Sequence, residues 1–277
     1  MDHATWTRLA LTGARPLDLM TARFTEHRYA PHAHEEFAVG VCTDGLESIR
    51  YRGAHHLAGP GTVVVLEPGE PHTGAPADGT GFAYRVLYPP TALLAEGFRA
   101  RPHFPEPVLR DPGLAAALAR AHRAAAAGHR HAAESGLVWA FATLARRHAG
   151  APPAHAPRGG RDGGAGERVA RAVRARLADQ LRNPPTLGEI AADLGLSRYQ
   201  VLRAFRDSAG MPPFAWLAQH RVNRARALLD AGRSPALAAA DVGFADQAHL
   251  TRWFRRVLGV TPGAYRNSVQ DGGRSVR

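Results

Sequence analysis

The chain has 277 residues, 45% of them hydrophobic, which is enough for two ordinary cores, and a formal net charge of +11 at pH 7. All of the positive charge is arginine; from Gly166 onward 18 arginines stand against 9 acidic residues, so +9 of the excess sits there and +2 before it. A single cysteine, Cys42, excludes a disulfide framework or cysteine-based metal cluster within one chain. No segment approaches the roughly 18 apolar residues of a membrane span, and the charge-broken start MDHATWTRLALTGARPLDLM lacks a signal-peptide core. The expectation is a cytoplasmic, two-domain protein with no membrane partner, whose basic domain carries the electrostatic footprint of nucleic-acid binding. An arginine-rich surface that is merely soluble would give the same total, so the arginines have to be placed on a face.

In chain order, residues 21–90 hold short apolar runs, FAVGVC, SIRYR, TVVVLE and AYRVLY, separated by the turn signals TDG, GPG and PGEP. That pattern predicts a compact antiparallel β structure. Residues 111–149 change period: Leu114, Leu118 and Ala121, then Leu137, Phe141 and Leu144, recur at three- and four-residue steps on either side of Gly128, predicting a helical pair. Residues 150–166, GAPPAHAPRGGRDGGAG, offer almost nothing to bury and read as a flexible linker.

Beyond the linker the sequence repeats. RAFRDSAGMPP at 203–213 returns as RWFRRVLGVTP at 252–262, with Arg203, Phe205, Arg206, Gly210 and Pro213 matching Arg252, Phe254, Arg255, Gly259 and Pro262 at an offset of 49. Upstream of the copies, Ala191 and Gly195, and again Ala239 and Gly243, stand four apart, as expected where two short helices touch and then turn sharply. Ser197 with Gln200 is a capping-box signal, and Asp246 is the equivalent N-cap. Both copies therefore read as helix-turn-helix units, the second with one extra turn residue. The helical wheel turns Val201, Ala204 and Phe205 inward and leaves Arg198, Tyr199, Leu202, Arg203 and Arg206 outward. The same register in the second unit exposes Gln247, Ala248, Thr251, Arg252 and Arg255. Arginine, glutamine and tyrosine are types that reach base edges and phosphates in a major groove.

On these residues, 167–268 resembles the DNA-binding domain of the AraC/XylS family of bacterial transcription regulators. The segment VGFADQAHLTRWFRRVLGVTPGAYR looks like that family's signature around its second unit, and RVNRARALLDAG like its connector helix. The resemblance implies recognition helices entering successive major grooves roughly 34 Å apart. It assigns base reading to Tyr199, Leu202 and Arg203 in the first, and to Gln247, Ala248, His249 and Arg252 in the second. Arg206 and Arg255, a turn further along, would meet the backbone.

PHAHEEF, TDG and GTVVVLEPGEPH, within residues 31–72, resemble the cupin-like sensor domain of many such regulators. In metal-binding cupins an H-x-H pair and a later histidine converge inside a barrel. Here these would be His32, His34 and His72, with Glu36 substituting for the glutamate such cupins also carry. Two histidines one residue apart project to the same side of a strand. A divalent metal, an organic-ligand pocket and purely structural histidines remain three readings of the same residues, and His55 and His56 read as surface.

The expected fold is α+β in two domains: a cupin-like β-barrel at 1–110 with a helical pair at 111–149, a linker at 150–166, and an all-α double helix-turn-helix domain at 167–270. The expected function is DNA-binding transcription regulation, as activator or repressor, controlled by a small effector in the N-terminal domain. The expected partners are double-stranded DNA, the effector, a second copy of the chain through the helical pair, and RNA polymerase. The alternative is a metal-dependent cupin enzyme fused to a DNA-binding domain. Alkyl-transfer repair on such a scaffold needs cysteines the chain does not have.

Overall fold

The computed structural model describes residues 2–11, 16–95, 101–150 and 164–271. Most of the expected linker, 151–163, lies outside the described residues. The chain divides into two compact units, one of them spanning Pro153–Arg266.

The N-terminal unit is antiparallel throughout. Strands β1 (His3–Leu9), β2 (Leu17–Phe24), β3 (Ala38–Gly45), β6 (Thr62–Leu66), β8 (Phe82–Tyr88) and β9 (Val108–Arg110) form one sheet in the order β1-β2-β8-β3-β6-β9. A second sheet runs β5-β4-β7, from β4 (Glu47–Tyr51), β5 (Ala54–Ala58) and β7 (His72–Pro76). The runs AVGVC and TVVVL are continuously apolar because β3 and β6 are covered on both faces. Val39, Val41, Val63 and Val65 join the core under the helices, while Ala38, Val64 and Leu66 are buried on the other side. Between β3 and β4 the chain passes so close to Gly81 that a Cβ on Gly45 (φ +68°) would lie 2.0 Å from the Gly81 carbonyl oxygen. Only glycine closes that corner.

After a single helical turn, α1 (Thr91–Leu94), come α2 (Pro112–Ala126) and α3 (Arg130–His148). Asp111 caps α2, accepting from the Leu114 amide at 2.9 Å, and Gly128 (φ +77°) turns the chain into α3. Leu114, Leu118, Ala121, Leu137, Phe141 and Leu144 all lie in one core with the six-stranded sheet. The apolar stripes expected to serve a partner are thus used by the unit itself. The large apolar side chains that α3 leaves exposed are Val138 and Trp139, at 58% and 51%.

The first strand was not legible. The N-terminal residues carry no strand signal beyond weak alternation, yet β1 pairs along its whole length with β2, with Trp6 opposite Met20 and stacked on Tyr88 at 5.0 Å.

The second unit is helical. Helices α4 (Ala165–Asp179), α5 (Leu187–Asp193) and α6 (Arg198–Ala209) pack with the start of α7 (Pro213–Asp230) around Val173, Leu177, Ile190, Val201, Phe205 and Leu217. Helix α7 continues into the second subdomain, where α8 (Pro235–Asp241), α9 (Gln247–Leu258) and α10 (Pro262–Asp271) bury Val222, Leu229, Leu250, Phe254 and Tyr265. The repeated glycine and proline now have their reasons. Gly210 (φ +66°) and Gly259 (φ +73°) end α6 and α9 in the left-handed conformation, and Pro213 and Pro262 open the helices that follow. The turn glycines Gly195 (φ +63°) and Gly243 (φ +86°) precede their recognition helices by three and four residues, which is the extra turn residue read from the sequence.

Candidate functional site

Two sets of side chains carry the chemistry, one in each unit. In the helical unit, Ser197 and Gln200 form the reciprocal capping box of α6, with Gln200 N to Ser197 Oγ at 3.2 Å and Ser197 N to Gln200 Oε1 at 2.8 Å. Asp246 caps α9 by accepting from the His249 amide at 2.6 Å. These caps start the two helices at matching positions, so side chains 49 residues apart take the same orientation. Arg198, Tyr199, Arg203 and Arg206 are exposed on α6 and Leu202 is half-buried; Gln247, Ala248, Arg252 and Arg255 are exposed on α9. Tyr199, 70% exposed, is a large aromatic that nothing in the fold needs. Below these faces Val201, Phe205, Leu250 and Phe254 are wholly buried.

The two faces differ in detail. Arg203 has Asp207 one turn away at 3.7 Å, whereas the matching position on α9 is Arg256, whose guanidinium lies over the Trp253 ring at 5.5 Å. His249 is half-buried with its ring 5.1 Å from Phe244, so it is held against its own subdomain more than its neighbours are. Thr251 bonds back to the Gln247 carbonyl at 2.8 Å.

In the β unit, His32, His34 and His72 converge, each offering a ring nitrogen within 4.8 Å of the others. Their ring centroids stand 4.2 Å (His32 to His72), 4.9 Å (His32 to His34) and 5.0 Å (His34 to His72) apart. They do not share a strand as expected. His32 lies in an irregular segment and is tied to β7 by a two-way bridge, its amide donating to the His72 carbonyl at 3.0 Å and its carbonyl accepting from the His72 amide at 2.8 Å. The Nδ1–H of His32 donates to the Ala30 carbonyl (2.8 Å) and that of His72 to the Glu70 carbonyl (3.1 Å). A carbonyl only accepts, so these bonds fix the tautomer and leave each Nε2 with its lone pair, the arrangement that orients histidine ligands at metal sites. Burial, with His72 adding to it, holds His32 well below the ordinary histidine value, and burial brings His72 down to about 4. Both are neutral donors at neutral pH. Glu36 is half-buried and is not among the converging groups.

Sequence reasoning missed Glu47. It opens β4, faces inward and is only 9% exposed, and burial pushes its carboxyl up to about 8. No spacing or motif pointed to it, because a single acid before SIRYR reads as the solvent-facing end of a strand.

The comparisons with known proteins agree with this layout. Residues 16–141 match the AraC-like ligand binding domain, and residues 190–268 match a helix-turn-helix domain. The chain belongs to the AraC family of transcription regulators. It is 23% identical over 230 residues to the HTH-type transcriptional regulator YbfI of Bacillus subtilis, covering 80% of this chain and 82% of YbfI. RipA of Corynebacterium glutamicum is 38% identical over 98 residues, 35% of this chain and 30% of that one. Among solved structures, apo ToxT K231A from Vibrio cholerae superposes with a TM-score of 0.55 at 12% identity, covering 91% of this chain and 97% of ToxT, and has the same two-domain fold. A ToxT structure with bound unsaturated fatty acid gives 0.54 at 11% identity, over 98% and 96%. The regulator thus pairs a ligand-binding domain with a DNA-binding one, and among its described residues no helix is long and apolar enough to cross a membrane.

Proposed function

We propose that this regulator reads two DNA segments, one with α6 and one with α9, under the control of a small effector held in the N-terminal unit, acting in the cytoplasm on RNA polymerase and not as an enzyme. The observation that carries the reading is the matched pair of exposed faces, with Arg203 and Arg252 in equivalent positions above two separately packed subdomains. Each arginine is placed for a bidentate contact to guanine. Arg203→Ala and Arg252→Ala are each expected to lose about 1–3 kcal/mol at the cognate site and to relax base preference in only one of its two segments. Binding-site selection with both variants checks this; loss of preference at the same base pairs, or at none, would refute the two-segment reading. Arg206→Ala and Arg255→Ala should weaken binding to all sequences alike and lower the salt slope by roughly one phosphate's worth each.

A divalent cation fits His32, His34 and His72: three converging imidazoles, two with their Nδ1–H already bonded to carbonyls, are the donor set such ions take. The ion would supply a Lewis-acidic point for an effector oxygen or nitrogen. His72→Ala is expected to lose at least about tenfold in zinc affinity, measured by calorimetry, while keeping its affinity for DNA. Zinc affinity unaltered by the substitution would remove the metal from the proposal.

Assembly as a homodimer rests on α3, where the large apolar side chains of Val138 and Trp139 stay exposed. Trp139→Ser should turn a sedimenting dimer into a monomer; a wild type that sediments as a monomer at high concentration would rule it out.

A further inference from the structure

Glu47 has a setting that the fold does not explain. Its carboxyl is buried, and no hydrogen bond or ion pair reaches it among the described residues. It leans over Gly74 of the neighbouring strand β7: a Cβ at position 74 would lie 2.6 Å from Glu47 Oε1, and 3.5 Å from a ring carbon of Tyr29. Glycine at 74 therefore keeps the space that the carboxyl and the Tyr29 ring share. Around it stand aromatic rings from β2, β8 and the segment that follows β2. Tyr29 and Tyr84 share a 2.8 Å hydrogen bond through their hydroxyls, Tyr84 stacks on Phe82 at 5.1 Å, and Phe24 stands 5.7 Å from Tyr29 and 6.1 Å from Tyr84. The charge of Glu47 adds to burial in raising Tyr29, Tyr84 and Cys42, so all three lie within its electrostatic reach. His27 Nε2, a buried ring nitrogen without a hydrogen-bond partner among the described residues, belongs to a ring 4.5 Å from the same Tyr29 and 4.7 Å from Phe24.

A buried, unpaired acid is costly and is rarely kept without a partner. We propose that Glu47 is the recognition group for a small ligand bearing a protonated amine and an apolar or aromatic body, with the rings of Tyr29, Tyr84 and Phe24 around the ammonium. A carboxylate only accepts, an ammonium only donates, and aromatic faces attract cations, so each part of the surroundings favours that charge. Binding an ammonium would favour the ionised form of Glu47, whereas a ligand presenting its own carboxylate would oppose that ionisation and gain no ion pair. The proposal rests on the reading that the N-terminal unit holds the effector, and it adds the chemical class.

The test uses the full chain and three probes of matched shape, phenethylamine, 2-phenylethanol and 3-phenylpropionate, with wild type and E47Q, whose amide keeps the size and removes the charge. Calorimetry is expected to show the amine binding wild type at least tenfold more tightly than the alcohol or the acid, and E47Q losing that preference. The alcohol or acid binding wild type as tightly as the amine would overturn the assigned class and leave the effector reading standing. So would an amine preference that survives in E47Q. Amine binding that depends on Glu47 but leaves DNA affinity unchanged in a mobility-shift assay would support the site and overturn control by it. If none of the three probes binds, the amine site falls.

Discussion

Replacing Phe254 with alanine is expected to cost about 3–5 kcal/mol and to unfold the second helix-turn-helix subdomain. The side chain is wholly buried in α9, edge-on to Tyr265 at 5.6 Å, in a subdomain small enough that one cavity removes much of its stability. Its loss also releases Tyr265, whose hydroxyl donates to Asp230 at 3.0 Å and accepts from Arg226 at 3.0 Å, so the tie between α10 and α7 weakens with it. Phe205 is its counterpart in the first subdomain, also wholly buried and edge-on to Trp216 at 6.3 Å. Trp253 and Trp216 are local fluorescence reporters, so urea titrations of variants that keep only one of them can assign each loss to its own subdomain. Phe254→Ala should shift the Trp253 transition to lower urea, and Arg252→Ala, at an exposed position one helical face away, should not. An unchanged midpoint for Phe254→Ala would mean that the helix is not packed as described.

The contrast between Phe254 and Arg252 shows how much of the DNA-binding half was legible. An α-helix converts sequence spacing directly into faces, and here the spacing occurs twice, so inward and outward positions could be read without knowing what lies between the helices. The caps at Ser197 and Asp246 and the glycines that stop α6 and α9 are local devices, and local devices survive in sequence. What α6 and α9 do not share, the pairing of Arg203 with Asp207, was visible only as two residues four apart, and His249 gave no sign that Phe244 holds it.

The β unit was less legible because its site is made by pairing between distant strands. The three histidines were found through their resemblance to a motif, yet the strand geometry expected for His32 and His34 was wrong. An irregular segment brings them together, and its register is set by the bridge to His72 forty residues later. Glu47 was invisible for the same reason: what singles it out is Gly74 on another strand and the Tyr29 ring. The helical pair shows the limit in the other direction, since its apolar stripes were read correctly as buried faces, but periodicity does not say whether a sheet or a second copy covers them.

Acidification is expected to destabilise the N-terminal unit through histidines that are folded in their neutral form, and His122 makes the clearest case. It is buried on α2 with Nε2–H donating to the Met20 carbonyl at 3.1 Å, while Nδ1 faces the Arg85 guanidinium at 3.5 Å. Burial, and then the Arg85 charge, bring it down to about 4. A second proton would sit on Nδ1 against a cation. Because the folded value lies below the unfolded one near 6.5, the contribution is fully present above that pH and is lost as the pH falls toward 4, at about 1.4 kcal/mol per unit and about 3 kcal/mol in all. His72, also brought to about 4, adds a similar loss over the same window, and His32 acts in the same direction. Glu47 runs the other way: its folded value of about 8 lies above the unfolded one, so it favours folding below pH 4.5 and loses that contribution as the pH rises through 8. The wild-type profile is therefore flatter than the histidines alone would make it, and a single-site comparison is needed. His122→Gln keeps a donor for the Met20 carbonyl and removes the titration. Between pH 7 and pH 4.5 its unfolding free energy, from urea titrations, should fall by about 2.4 kcal/mol less than that of wild type. Parallel losses in the two proteins would show that His122 accepts its proton in the folded state, and the packing of α2 against Arg85 would have to be different from the one described.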